Sequence, residues 1–261
     1  METQFWERVS RKPEPSWYLD PVTAVQKREA HLRLIREWSR GVSADRILKT
    51  DLFEEAFGED SLLDSLFPGA ELRCGMDASF GTASGAFRRY PQKIRAFTCD
   101  VRNLAARDGV FDVIISNSTL DHFMERASFL RALSELSRTL KPGGVLIITL
   151  DNPWNPLYPP LRWLSRLRNA PFRLGYTESA PRLKKDLASL GLIPEKTEWL
   201  LHNPRGLSTL LILGLRKLLP RKTADIGIRL LLNTCAQLNK LPTRKLTACF
   251  VAVSARKSRF T

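Results

Sequence analysis

Short apolar runs rich in β-branched residues alternate along this chain with longer amphipathic segments. The clearest case lies between residues 109 and 150, where apolar runs at 111–117 and 145–150 flank a segment with helical periodicity that ends near Leu140. Two buried strands joined by one helix form a β-α-β unit, which requires parallel strands in one sheet. The pattern therefore predicts a buried parallel sheet.

The same alternation predicts the other elements. Strands are predicted at 46–50, 72–76, 94–99, 193–201 and 247–255, and helices at 21–40, from Gly58 to about 67, after Asp77 to about 90, at 160–168, at 180–190 and, as a Leu-rich pair, over 206–241. The fold class is thus α/β, with a doubly wound, mostly parallel seven-stranded sheet and helices on both faces. We assign residues 1–43 to an N-terminal helical extension and residues 44–261 to the main domain, with a helical insertion at about 205–242 before the last strand.

Composition narrows the class of protein. The chain has 261 residues, 43% of them hydrophobic, which suits one α/β domain with additions. No stretch approaches the roughly 20 apolar residues of a spanning helix, and Glu2, Glu7 and Arg8 interrupt the N-terminus, so we expect a cytoplasmic protein. The four cysteines lie far apart, which favours buried free thiols over a metal cluster or a disulfide framework.

Charge is distributed unevenly. The net charge is +14, and residues 201–261 hold twelve Lys and Arg residues against one acid, Asp225. Residues 50–72 show the opposite balance, with seven acids and no Lys or Arg. An acidic segment in a basic protein calls for a specific explanation, which the predicted sheet supplies.

Acidic and amide side chains follow the predicted strands, where the carboxyl ends of a doubly wound sheet bind ligands. A carboxylate after strand two, here Asp77, suits the two hydroxyls of a ribose. A pyrophosphate needs a glycine-rich turn with little negative charge, so a first turn that carries three carboxylates disfavours NAD and FAD. S-adenosylmethionine has an adenosine, no phosphate and two cationic centres. It is the cofactor that these residues favour.

Three motifs in this order carry a family resemblance. Residues 75–79 (Gly-Met-Asp-Ala-Ser), 111–122 (Phe-Asp-Val-Ile-Ile-Ser-Asn-Ser-Thr-Leu-Asp-His) and 140–144 (Leu-Lys-Pro-Gly-Gly) resemble the small-molecule branch of class I S-adenosylmethionine-dependent methyltransferases. The resemblance covers about residues 45–151 and the last strand. The first motif departs from it, because Lys49, Asp51 and Phe53 stand where the family has an acid and a G-x-G-x-G turn.

The resemblance implies roles for residues at the strand ends. Asp77 with Ala78 would hold the ribose, Asp100 with Cys99 and Val101 would lie against the adenine, and Asn117 would line the cofactor near the methyl group. The acids of the first turn are candidates for the cofactor's ammonium, or else they cap the next helix. These first-turn residues are Asp51, Glu54 and Glu55, with Gly58 as the one available turn glycine.

Catalysis and acceptor binding are less constrained by the motifs. A hydroxyl acceptor benefits from a general base, and His122 has the residue type for it, although it also suits a helix start packed on the sheet. The acceptor pocket is expected to be built from aromatic and amide groups in the additions to the core. The candidates are Trp17, Tyr18, Asn152, Trp154, Tyr158, Tyr176 and His202. For the Pro-rich loop that follows residue 151, a rigid connection is the alternative.

The Leu-rich helices with flanking Arg and Lys are compatible with packing or a lid, with an anionic membrane surface, or with an oligomer contact. Our leading hypothesis is a methyltransferase that acts on a small metabolite, lipophilic or lipid-linked, at oxygen. The alternatives are an RNA methyltransferase or nucleic-acid-binding protein that uses the basic C-terminal region, and a cofactor-binding protein without activity. Nucleic acid is disfavoured because the basic residues alternate with Leu runs, not with exposed aromatic residues.

Overall fold

A computed structural model describes residues 6–8, 10, 20–167 and 174–259. Its centre is one sheet of seven strands, which are β1 (Arg46–Thr50), β2 (Leu72–Asp77), β3 (Arg95–Thr98), β4 (Phe111–Asn117), β5 (Leu140–Asp151), β6 (Leu192–Leu200) and β7 (Phe250–Lys257). The strand order is β3-β2-β1-β4-β5-β7-β6. The first five strands are parallel, and β7 lies antiparallel between β5 and β6. The predicted fold class is confirmed.

Helices cover both faces of this sheet. They are α1 (Pro21–Trp38), α2 (Phe53–Phe57), α3 (Phe80–Arg89), α4 (Arg126–Thr139), α5 (Tyr158–Leu164), α6 (Ala180–Ser189), α7 (Leu207–Leu218), α8 (Arg221–Ala236) and α9 (Arg244–Thr247), with 3₁₀ turns at Leu120–His122 and Gln237–Lys240. Side chains of β4 alternate between the two faces. Ile114 packs in the core with α4 and α6, whereas Val113 and Ile115 pack in the core with α1 and α3.

The N-terminal helix and the helical insertion pack together. Asp20 caps α1 because its Oδ1 accepts hydrogen bonds from the Val22 and Thr23 amides at 3.0 and 3.2 Å. The other carboxylate oxygen of Asp20 pairs with Arg216 of α7 at 2.7 Å. A small apolar cluster of Val22, Ile212, Ile228 and Leu232 completes this contact between α1, α7 and α8.

Two local predictions were wrong. The short helix lies before Gly58 and not after it, because Glu54 and Glu55 occupy its first turn and Gly58 is its C-cap. Residues 63–65 form a turn where the sequence predicts a helix. The amides of Leu62 and Leu63 donate to the Glu55 carboxylate. β5 also begins before the apolar run predicted at 145–150, since Leu140 already pairs with Phe111 before a bulge in the register.

Smaller differences concern strand ends. Cys99 and Cys249 lie just outside β3 and β7, and all four cysteines are free thiols.

No helix within the described ranges is long and apolar enough to cross a bilayer. The same ranges contain no cluster of three or more side chains suited to hold a metal ion.

Candidate functional site

Two carboxylates hold the turn that follows β1. Asp51 has a φ of 65°, a left-handed conformation that Asp tolerates better than most residues, and its Oδ1 accepts from the Phe53 amide at 2.8 Å. Asp77, at the end of β2, accepts from the adjacent Leu52 amide at 3.0 Å and from the Ser79 amide at 2.8 Å. Because Leu52 and Phe53 are consecutive, the carboxylates of Asp51 and Asp77 meet at one turn.

A buried lysine lies beneath this turn. Lys49 is fully excluded from solvent, and its ammonium donates to Glu55 Oε2 at 2.8 Å and to the Asp51 carbonyl at 2.5 Å. Burial alone would lower the pKa of Lys49, but Glu55, Glu54 and Asp51 outweigh it and raise the pKa above its usual value. Lys49 therefore remains charged and fixes the backbone of the turn from below.

The two glutamates predicted to contact the cofactor's ammonium are engaged elsewhere. Glu55 is fully buried against Lys49, and Glu54 pairs with Lys27 of α1 at 2.8 Å. Burial raises the pKa of Glu54, but Lys27 and Lys49 hold it below its usual range. Neither glutamate lines the pocket described below, and Gly58 also lies outside it, with its carbonyl accepting from Arg89. The geometry therefore leaves Asp51 as the acid that the first turn contributes to the pocket.

The pocket opens at the carboxyl edge of the sheet. It encloses about 720 Å³ when its open mouth is included. Its wall combines strand ends with residues from the N-terminal segment and the first turn of α3. The lining residues are Trp6, Asp51, Phe53, Met76, Asp77, Ala78, Thr82, Asp100, Val101, Arg102, Thr119, His122 and Phe123. The structure thus brings together Asp51, Asp77, Ala78, Asp100, Val101 and His122 from the residues selected by sequence.

The electrostatics of the pocket favour a cationic ligand. Burial raises the pKa of Asp51, and the neighbouring Glu54 and Asp77 raise it further. Burial also raises the pKa of Asp77, against the hydrogen bonds from the Leu52 and Ser79 amides. Carboxyl groups whose ionised form is disfavoured by burial and by each other are stabilised when a cation enters. A phosphate group would have the opposite effect.

The wall after β3 is held by an ion pair. Arg102 donates from Nε to both carboxylate oxygens of Asp100 at 3.0 Å, and its guanidinium lies 5.0 Å from the centre of the Phe123 ring. Burial raises the pKa of Asp100, but Arg102 outweighs it and lowers the pKa. Val101 lines the pocket beside this pair, whereas the Cys99 thiol turns away and donates to the Asn103 carbonyl at 3.3 Å.

His122 also lines the pocket, and Trp6 lies against it. The ring centroids are 4.6 Å apart with planes inclined by 60°. Trp6 reaches this position because the neighbouring Glu7 accepts from the Ser79 hydroxyl at 2.8 Å. Burial lowers the pKa of His122, although the nearby Asp151 opposes the shift. The imidazole is therefore neutral at physiological pH and has a nitrogen lone pair to accept a proton.

Sequence reasoning missed a buried polar network behind His122. Asp121 accepts from the Asp151 amide at 2.7 Å, and the Asp151 carboxylate pairs with Arg205 at 2.5 Å. Burial and the Asp151 charge raise the pKa of Asp121 to about 8. The amide of Gly175 donates to the Asp121 carbonyl at 2.9 Å. This network fixes the ends of β4 and β5 together. The sequence indicates it only through the acidic residues near the two strand ends.

The remaining predicted site residues lie away from the pocket. Asn117 is buried at the end of β4 and its Oδ1 has no partner in the described part of the chain. Asn152 and His202 hold α9 in place, through the Ala248 carbonyl and the Thr247 hydroxyl. Among the aromatic candidates, Tyr158 donates to the Gly175 carbonyl, Tyr176 donates to Glu178, and Trp154 is partly exposed. Trp17 and Tyr18 lie outside the described residues.

The fold and the pocket define a class I methyltransferase architecture, and comparison with known proteins agrees. Residues 57–148 match the model of the "Methyltransferase domain" family. The chain is 45% identical over 53 residues to "Probable tRNA methyltransferase 9B" from Homo sapiens, which covers 20% of this chain and 12% of that protein. It is 28% identical over 109 residues to a "Probable S-adenosylmethionine-dependent methyltransferase" from Mycolicibacterium smegmatis, which covers 42% of this chain and 41% of that protein.

A solved structure extends the similarity to nearly the whole chain. The N-methyltransferase NodS from Bradyrhizobium japonicum, in complex with S-adenosyl-L-homocysteine, superposes with a TM-score of 0.61 over 98% of each chain at 16% identity. At this identity the likeness concerns the fold. The fold is that of class I S-adenosylmethionine-dependent methyltransferases, and residues 57–148 match their domain model.

Proposed function

We propose that the protein transfers a methyl group from S-adenosylmethionine to the hydroxyl of a small, partly apolar metabolite. The observation that carries this proposal is a partly buried imidazole of lowered pKa, His122, in the wall of the pocket that also presents Asp51 and Asp77. A base and cation-seeking carboxylates in the lining of one pocket provide the two functions that O-methylation needs.

The residues of the pocket fit the cofactor. Asp77 uses its oxygens for the Leu52 and Ser79 amides, yet each carboxylate oxygen keeps a second lone pair for a ribose hydroxyl. Val101 and Met76 offer apolar surface to an adenine, and Asp51 offers a negative charge to the cationic end. Bound there, the cofactor supplies a methyl group on a sulfonium, the electrophile for an in-line displacement. Asp51 also favours a ligand that carries this charge over one that has lost it.

His122 acts on the acceptor. Its neutral imidazole accepts the proton of the hydroxyl as the new bond to oxygen forms, so the product oxygen carries no charge. Burial keeps the ring unprotonated before the reaction, and the nearby Asp151 stabilises the imidazolium that results. Trp6 holds the ring from its outer side. The buried network of Asp121, Asp151 and Arg205 fixes the backbone that carries His122.

The wall near His122 also indicates the kind of acceptor. Trp6 lies against the imidazole and Phe123 lines the same pocket, and Phe53 stands at a position where the family resemblance expects glycine. Aromatic rings around one polar group suit an organic acceptor with an apolar body. We infer a lipophilic metabolite on this basis.

The test begins with calorimetric titration of the protein with S-adenosylmethionine, S-adenosylhomocysteine and NADH. We expect micromolar binding of the first two, no binding of NADH, and loss of binding in Asp77→Ala. Asp112→Ala is the matched control. Asp112 is also a carboxylate on a strand of the sheet, but it lies near the start of β4, away from the pocket, and pairs with Lys141. No binding of S-adenosylmethionine by the folded wild-type protein would refute the cofactor assignment.

Methyl transfer is then measured by mass spectrometry with a panel of hydroxylated lipophilic metabolites. His122→Gln should retain cofactor affinity and lose turnover, because glutamine keeps hydrogen-bonding capacity without basicity. Transfer that is undiminished in His122→Gln would refute the role of base. Cofactor binding without transfer to any hydroxylated compound would instead support a binding protein.

RNA is a second candidate acceptor, favoured by the local similarity to tRNA methyltransferase 9B and by the net charge of +14. An RNA-binding surface predicts an affinity for mixed RNA that falls steeply with salt concentration. Filter binding across a salt series decides between the two, since a small-molecule enzyme should show weak binding with no methyl incorporation into RNA.

A further inference from the structure

The exposed face of α7 is apolar. Leu207, Leu210, Leu211 and Leu218 follow helical spacing along one side of the helix, and their exposed fractions range from 54% to 79%. The other side of α7 carries the buried Ser208 and Ile212, so the row of leucines points away from the core. A row of four exposed leucines is unusual for a side of a helix that faces water.

The elements next to α7 in the chain or in space also carry exposed apolar side chains. Gly206, just before α7, lies against Leu161 of α5, because a Cβ there would stand 3.6 Å from Leu161 Cδ2. On α5 the Trp163 side chain is 65% exposed, and on α8 the Ile226 and Leu230 side chains are similarly exposed. We call the set Leu207, Leu210, Leu211, Leu218, Trp163, Ile226 and Leu230 the leucine face.

The charges on α7, α8 and their connection are mostly positive. Exposed cations on α7, α8 and their connection include Lys217, Arg221, Lys222 and Arg229. Between residues 199 and 259 the sequence has a single acid, Asp225, which shares Arg216 with Asp20 of the α1 cap, at 2.5 and 2.7 Å. An apolar face with a predominantly basic border is complementary to a surface that is apolar within and anionic at its boundary.

This charge distribution discriminates among occupants. A second copy of the chain would bring the same cations against one another, which disfavours a symmetric dimer. RNA would pair with the cations but would leave the leucines without apolar contact. The interface of an anionic lipid leaflet satisfies both features, because leucines enter the acyl boundary while Lys and Arg stay with the headgroups.

We infer that the leucine face docks on the surface of an anionic membrane, with α7 lying in the plane of the interface. The docked helix is close in sequence to the proposed active site. Arg205, two residues before α7, pairs with Asp151 at the carboxyl end of β5. Docking therefore places the carboxyl edge of the sheet near the lipid, where a lipophilic acceptor would be concentrated. The docking itself does not depend on the proposed reaction.

The experiment is co-sedimentation of the full chain with vesicles of phosphatidylcholine, with and without phosphatidylserine. We expect binding to the mixed vesicles, little to phosphatidylcholine alone, and weakening with salt. Leu210→Glu with Leu211→Glu should reduce binding at least about tenfold, given the apolar area of two leucines. Replacing Lys217, Arg221 and Lys222 by Gln should reduce it by roughly fivefold per residue, and only for vesicles that contain phosphatidylserine.

Ile193→Glu is the matched control, because Ile193 is 56% exposed at the far end of β6 from α7. It should bind vesicles as the wild type does. Circular dichroism and cofactor titration confirm that each variant is folded, which separates failure of docking from failure of the proposed function. Absence of wild-type binding, equal loss in Ile193→Glu, or a dimer by light scattering that the leucine variant dissociates would each overturn the inference.

Discussion

The buried ion pair of Lys49 and Glu55 yields a quantitative prediction about stability. Both side chains are fully excluded from solvent, and their charged atoms lie 2.8 Å apart. Removing one partner of a buried pair leaves an uncompensated charge and costs about 3–5 kcal/mol. We therefore expect Lys49→Met to lower the free energy of unfolding by about this amount, which is a large part of the stability of an ordinary domain.

A double variant tests the cause. Glu55 also accepts from the Leu62 and Leu63 amides, each at 3.1 Å, so its acceptor oxygen is needed even without the lysine. Glu55→Gln keeps that oxygen and removes the charge. Lys49→Met with Glu55→Gln should therefore be more stable than Lys49→Met alone, and the coupling energy between the two substitutions, measured against both single variants, should be about 0.5–3 kcal/mol.

Urea unfolding followed by tryptophan fluorescence measures these differences. Lys141→Met is the matched control, because Lys141 pairs with Asp112 at 2.6 Å while 35% of its side chain remains exposed. A partly exposed pair contributes less than about 1 kcal/mol. Equal losses in Lys49→Met and Lys141→Met would refute the reasoning, as would a double variant less stable than the single one.

Three further predictions concern the site. Asp51→Asn should weaken binding of S-adenosylmethionine more than that of S-adenosylhomocysteine, by about 1 kcal/mol or more in calorimetry, because only the former carries the sulfonium charge. The pKa of Asp121 is about 8 in the folded protein, above its unfolded value. The protonated carboxyl therefore contributes fully to the free energy of unfolding below about pH 4, and this contribution is lost as the pH rises to 8. The stability of wild type relative to Asp121→Asn, from urea unfolding at each pH, should fall over that window. Gly175→Ala should lower the thermal midpoint, since its Cβ would clash with the carbonyl oxygens of Asp121 and Phe123, whereas Gly214→Ala in open space should not.

Local patterns were sufficient for most of the fold. The bounds of β1 and β4 agree with the apolar runs, and α1 begins at the Asp20 cap as the sequence indicates. The position of α2 was mispredicted because the decisive contact, from Lys49 to Glu55, joins a strand to a helix through the core. Apolar periodicity carries no information about such a contact.

The site was predictable where strand ends determine it. Asp77, Ala78, Asp100 and Val101 follow neighbouring parallel strands, so they meet at one edge of the sheet and line the pocket together. Trp6 was not selected, and the ion pair of Arg205 with Asp151 was not predicted, because both depend on how distant segments pack. Trp6 reaches His122 through Glu7 and α3, and Arg205 reaches Asp151 from the connection between β6 and α7.

The departures in the first motif explain one another. A lysine inside β1 needs acids nearby, and Glu54 and Glu55 of α2 supply them, so the acids that seemed available for the cofactor instead neutralise Lys49 and Lys27. The left-handed turn normally made by glycine is retained at Asp51, whose side chain bonds the Phe53 amide and whose carbonyl accepts from Lys49. Asp51 adopts the left-handed backbone conformation that glycine usually supplies, and it adds a carboxylate to the pocket. The altered turn is therefore suited to a cationic ligand.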